Sequence, residues 1–143
     1  MACRLEHANI SVRDIDALIR FLKTAFPDFQ VRGEGICNGV RWVHVGTNDT
    51  YIALNQAKAD SERHRKPYSG EEPGVNRLAY EVGDVESLQA SLKAAGYRES
   101  TPPNMHPHRK RVYFYDPDGN DWEFVQYFSR DPAERNDYKL PDR

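Results

Sequence analysis

The segment DPDGNDWEFVQ, residues 116–126, sets a carboxylate, Glu123, among large apolar neighbours. Its first half has the composition of a tight turn and its second half, Trp122 to Gln126, that of a strand. A charge buried without a partner is strongly destabilising, so Glu123 must be paired, bound to a metal, or turned to water. Imidazoles are the other groups here suited to metal binding or proton transfer. His7 lies in the strand-like run LEHANISV and His44 in the strand-like run RWVHVG. His106 and His108 stand in PPNMHPHRK, where the prolines argue for an exposed, semi-rigid connection and solvent-facing rings. There is no phosphate-cradling glycine loop, no G-x-S-x-G and no His-Glu-x-x-His.

The elements that must position these groups are written twice. A shift of 70 residues lays LEHANISVRDIDALIRFLKTAF over VNRLAYEVGDVESLQASLKAAG. Val12 then falls on Val82, Asp14 on Asp84, Leu18 on Leu88 and Leu22 on Leu92. The same register carries Arg41 onto Arg111 and Gln56 onto Gln126 without a gap. Residues 5–12 and 75–82 read as strands, and Asp14 and Asp84 stand where helix N-caps belong. Ile15, Leu18, Leu22, Ala25 and Val85, Leu88, Leu92, Ala95 form matching apolar helix faces. Pro27 ends the first helix and Gly96 the second. Strands follow near 29–35, 40–46 and 50–56, and near 97–101, 110–115 and 121–127. The expected class is therefore α+β, two tandem βαβββ modules in one domain. Module one spans about residues 4–56 and module two about 74–128, joined by a polar linker at 57–73 and followed by a tail at 129–143.

Bulk properties narrow the function. The formal net charge is −2, so no global field recruits nucleic acid or an anionic membrane. Basic residues come in small groups, RHRK at 63–66 and HPHRKR at 106–111, which read as solvated loop charge. Two cysteines, Cys3 and Cys37, do not make a disulfide framework. No run is long or apolar enough for a signal peptide or a membrane span, so the reading is a reduced, cytoplasmic protein.

The two βαβββ modules, the first strand LEHANISVRD and the last strand DPDGNDWEFVQ together resemble the vicinal oxygen chelate superfamily over about residues 4–128. That group includes glyoxalases, bleomycin-resistance proteins and extradiol dioxygenases. The resemblance implies open, curled mixed sheets, half-barrels around a cavity between the modules. It also implies a divalent metal (zinc, nickel, manganese or iron) held by the first and last strands of each module, and a homodimer. His7 and Glu123 match two of the family's four ligand positions. The other two fall on Ala53 and Arg77. Alanine has no donor atom, and arginine stays protonated and cannot coordinate a cation.

Strand alternation turns Asn9 inward with His7, Asn55 with Ala53, and Tyr127 with Glu123. With Arg77 standing where a cation would be, two arrangements are open to it: a bidentate pair with Glu123, or a substrate carboxylate or phosphate held by the guanidinium. Two readings follow. In one, the chain is a glyoxalase/bleomycin-resistance-like small-molecule-binding protein with a degenerate, metal-free site and Arg77, Asn9, Asn55 and Tyr127 as ligand contacts. His7 beside Glu123 would then act as a general base. In the other, it is a divalent-metal-dependent lyase, isomerase or dioxygenase using His7 and Glu123 as ligands.

Overall fold

The computed structural model describes residues 2–62 and 72–140. The RHRK run and most of the 57–73 linker fall at 63–71, outside the described residues. The chain divides into two compact units, Met1–His64 and Arg65–Arg143.

In the first unit the order is β1 (His7–Val12), α1 (Ile15–Ala25), β2 (Gln30–Cys37), β3 (Val40–Gly46) and β4 (Tyr51–Gln56). The Asp14 side chain caps α1 by accepting from the Ala17 amide. Ile15, Leu18, Leu22 and Ala25 are buried as the periodicity requires, and Phe21 joins them. Val43, Val45, Ile52 and Leu54 complete this apolar core. The β2–β3 hairpin closes on Asn38 and Gly39, both at positive φ, the backbone that a two-residue hairpin turn demands. Strand order is β1-β4-β3-β2, with β1 parallel to β4 and the remaining pairs antiparallel.

The second unit repeats the plan. It contains β5 (Arg77–Glu81), α2 (Val85–Ala94), β6 (Asn104–His106), β7 (Arg109–Tyr115) and β8 (Asp121–Tyr127), then a short α3 (Pro132–Arg135). Strand order is β5-β8-β7-β6, again with one parallel pair, β5 and β8. Both sheets are four-stranded, mixed and open, so the α+β class of tandem βαβββ modules holds. Asp84 caps α2 through the Ser87 amide, and Gly96 at φ 88° ends it. Ala95 is exposed, because α2 stops one residue earlier than the repeat suggested.

Two expectations fail in one place. The strand near 97–101 is reduced to an isolated bridge, Glu99 to Phe114, and β6 forms instead at Asn104–His106. The reason is local. Residues 98 and 100 do bond to β7, through Tyr115 N–H to the Arg98 carbonyl and Ser100 N–H to the Tyr113 carbonyl. Pro102 and Pro103 then interrupt, having no N–H to donate. Pairing resumes with Asn104 opposite Arg111 and His106 opposite Arg109. His106 is consequently 2% exposed rather than solvent-facing, and its Nδ1 accepts from the His108 amide.

The β7–β8 turn is built around one carboxylate. Asp116 accepts from the amides of Asp118 (2.8 Å) and Asn120 (3.0 Å), from Asn120 Nδ2 (2.8 Å) and from Trp122 Nε1 (2.9 Å). Burial pushes the Asp116 carboxyl above the usual carboxylate range, and these four donors pull the other way. Gly119, at φ 84°, takes the left-handed position in the turn. The turn fixes where β8 begins, and so where Asp121 and Glu123 emerge. Asp116→Ala is expected to lower stability by about 3 kcal/mol, because buried donors lose their acceptor together. Urea unfolding followed by Trp122 fluorescence measures it, and a loss within experimental error of zero would contradict this role for the turn.

Candidate functional site

Register and alternation decide which side chains of the second unit share the face turned away from α2. Arg77 stands opposite Asp121 and Ala79 opposite Glu123 on one side of β8; on the other, Tyr113 stands opposite Glu123. These residues converge. Arg77 Nη2 lies 3.0 Å from Asp121 Oδ2, and Arg111 Nε lies 3.0 Å from Glu123 Oε1. Arg77 Nη1 is 3.9 Å from the second Glu123 oxygen, and its guanidinium lies 4.5 Å above the Tyr113 ring. Ser100 Oγ donates to the other oxygen of Asp121 at 2.5 Å.

Arg77 and Glu123 thus meet in a shared arrangement and not as a bidentate pair. Arg77 sits directly across from Asp121 in the parallel pair, which gives that carboxylate the shorter contact. Glu123 takes its close partner from β7 instead. Side chains of Arg77 and Glu123 are 17% exposed and that of Asp121 is 3% exposed. Two guanidiniums facing two carboxylates leave the cluster formally neutral, which limits the desolvation penalty of placing these charges at a mostly buried position. Burial and the neighbouring Glu123 charge raise the Tyr113 phenol above its usual value, so it keeps its proton near neutral pH. Asn104 Nδ2 donates to the Tyr113 hydroxyl oxygen at 3.3 Å.

The first unit presents different chemistry on its corresponding face. His7 stacks on Tyr51 with ring centroids 4.6 Å apart, and His44 stacks on Tyr51 at 4.8 Å. Trp42 follows at 4.9 Å from His44, and Arg32 lies 4.2 Å over the Tyr51 ring. The indole rests over Gly35, where a Cβ would come within 3.1 Å of it. Beside this row Asn55 Nδ2 donates to Asn9 Oδ1 at 2.5 Å. His7 is exposed, and its Nδ1 lies 2.9 Å from Glu6 Oε1.

Of the residues singled out in the sequence, Arg77 and Glu123 are thus brought together in one unit, and Asn9 and Asn55 in the other. His7 belongs to the first unit and Glu123 to the second. Tyr127 lies beneath the guanidinium of Arg135. The sequence reading passed over Arg111, Asp121 and Tyr113. Two signals for them were present: the repeat aligned Arg111 with Arg41, and alternation from Glu123 reaches Asp121 in one step.

A divalent metal does not suit the donors present. Both Glu123 oxygens face guanidinium nitrogens, position 53 is alanine, and position 77 carries a fixed positive charge. Among the described residues no group of three or more His, Cys, Asp or Glu side chains is placed to hold a metal ion.

Comparison with known proteins gives a consistent picture of the fold. The sequence profile of the Glyoxalase/Bleomycin resistance protein/Dioxygenase superfamily matches residues 4–124. No curated protein sequence matches at a significant level. Among solved structures, a glyoxylase/bleomycin resistance protein/dioxygenase domain from Frankia sp. EAN1pec superposes with a TM-score of 0.71 at 20% identity, covering 89% of this chain and 99% of that one. Fosfomycin resistance protein FosX from Listeria monocytogenes, complexed with Mn(II) and sulfate, gives 0.69 at 18% identity, with 94% and 98% covered. TnmS3, an antibiotic binding protein from Streptomyces sp. CB03234, gives 0.61 at 20% identity, with 88% and 97% covered.

Removing Arg77 strips Asp121 of a close countercharge at a nearly closed position. Arg77→Ala is expected to cost about 3 kcal/mol, whereas Arg4→Ala, at an exposed pair with Asp49, is expected to change stability by about 0.5 kcal/mol or less. Parallel denaturant titrations compare the two, and equal losses would contradict the cluster's structural weight.

Proposed function

The chain belongs to the Glyoxalase/Bleomycin resistance protein/Dioxygenase superfamily, and from that premise we propose that it is a small-molecule-binding protein working without a metal, its second module carrying an arginine–carboxylate cluster. The observation that supports this reading best is the engagement of Glu123, with Arg111 Nε at 3.0 Å and Arg77 Nη1 at 3.9 Å. A carboxylate held this way is already neutralised, and a cation approaching it meets two positive charges at short range.

The cluster still offers chemistry to a ligand. Guanidinium groups are planar, multiply donating and weakly hydrated, so Arg77 is suited to hold a carboxylate, phosphate or phosphonate group. Tyr113, kept protonated, adds a hydroxyl on the same face. In the first module the His7–Tyr51–His44–Trp42 row supplies π-faces, and the Asn9–Asn55 pair supplies amide donors and acceptors. Within the first module, that row and pair suit a ligand with both a flat apolar part and a polar part, the kind of molecule that a binding or sequestering protein holds without altering it. Among the described residues, His7 is an exposed imidazole beside Glu6, which keeps it the candidate general base should chemistry occur. A homodimer is proposed as the assembled form.

The reading is tested by elemental analysis of the purified, untagged protein by plasma mass spectrometry, with Arg77→His alongside. The expected result is less than about a tenth of an equivalent of any divalent metal in the wild type, with an increase in the variant as the repelling charge becomes a ligand. Near one equivalent of zinc, nickel, manganese or iron in the wild type would overturn it in favour of a metal-dependent lyase, isomerase or dioxygenase with His7 and Glu123 as ligands.

A further inference from the structure

The second sheet's open face also meets a cation from beyond the family-matched residues 4–124. Arg135, the last residue of α3, reaches Glu81 with both terminal nitrogens, Nη1 to Oε1 at 3.1 Å and Nη2 to Oε2 at 3.2 Å. Its guanidinium also lies 3.9 Å above the Tyr127 ring. A carboxylate fork in the plane of a guanidinium, with an aromatic face beneath it, is a recognition geometry for planar cations.

The contacts that deliver Arg135 to this place are separable from its side chain. Arg109, 1% exposed, donates through Nη1 to the carbonyls of Arg135 (3.3 Å) and Asp137 (2.9 Å). Asp131 caps α3 by accepting from the Ala133 amide at 2.9 Å, and Ser129 bonds to Glu134. The backbone is therefore anchored independently, and the guanidinium is presented to Glu81 and Tyr127 as a tethered group. Glu81 keeps 56% of its side chain exposed, so the place is open to solvent.

We infer that Glu81 and Tyr127 form a subsite for the guanidinium or amidinium group of a small-molecule ligand, and that the chain's own Arg135 fills it as a built-in competitor. This rests on the reading of the second sheet's open face as a ligand face. It adds the cationic part of the ligand to the anionic part that Arg77 is suited to hold. A tethered group competes at an effective concentration on the order of millimolar, so an external ligand binds more weakly to the wild type than to a chain lacking the Arg135 side chain.

The test uses full-length Arg135→Ala, titrated calorimetrically with methylguanidinium at constant ionic strength. Expected is saturable binding at least about tenfold tighter than in the wild type, lost in the Arg135→Ala/Glu81→Gln double variant and not reproduced by methylammonium. Equal affinity for wild type and variant, or binding that survives Glu81→Gln, would overturn the inference. A blocked Gly-Arg-Gly peptide distinguishes the source of the group: weaker binding than methylguanidinium supports a small molecule, and tighter binding overturns that choice. Should Arg135→Ala not fold, Arg135→Gln carries the same comparison. The metal analysis is read on a different pair of residues, so the two results fall independently.

Discussion

Glu123 is held between two guanidinium groups, and the second sheet is organised around that fact. A carboxylate on the middle of a strand, 17% exposed, needs positive charge close by. Arg111 supplies it from β7 and Arg77 from β5, so the ion pairs tie together three neighbouring strands across β8. Asp121 balances the second arginine and takes a hydroxyl from Ser100. The arrangement also determines what the site can bind. In the proposed reading, a cluster whose carboxylates are already matched by guanidiniums holds a polar ligand group more readily than a metal cation.

The two modules share a plan and differ in what they display. Both set an Asp N-cap ahead of an amphipathic helix, and both close a mixed four-stranded sheet with one parallel pair. Position 53 is alanine where position 123 is glutamate, and position 7 is histidine where position 77 is arginine. From these exchanges the first module acquires a row of stacked rings and an amide pair, and the second acquires a charge network. The C-terminal segment extends the second pattern, bringing Arg135 to Glu81 over Tyr127. Leu22 and Leu92 are fully buried in their helices in both modules, so the helix-side cores are kept while the residues on the other sheet face diverge.

Much of the fold was legible in the sequence because its signals are local and repeated. Asp14 and Asp84 mark helix starts by a hydrogen bond that spans three residues, and Leu18, Leu22, Leu88 and Leu92 mark buried faces by period alone. The failure at 97–101 is of the same local kind: Pro102 and Pro103 displaced the strand to Asn104, and carried His106 from an expected loop into a buried strand end. The site was less legible. That Glu123 needs a partner follows from its apolar neighbours, but which arginine comes closest depends on cross-strand register. Arg77 is set against Asp121, and Tyr113 rather than a ligand residue is set against Glu123. Such register is fixed by the Asp116 turn and by packing on α2, neither of which a single strand's sequence records.

In the proposed metal-free reading, Glu123 is committed to guanidinium pairing and not to a cation. A double-mutant cycle with Arg111→Met, Glu123→Met and the double variant, run by urea unfolding in EDTA and again in millimolar Mn(II), tests it most directly. Expected is a coupling of about 2 kcal/mol between the two residues, unchanged by manganese. Coupling near zero, or manganese stabilising the wild type but not Glu123→Met, would contradict it.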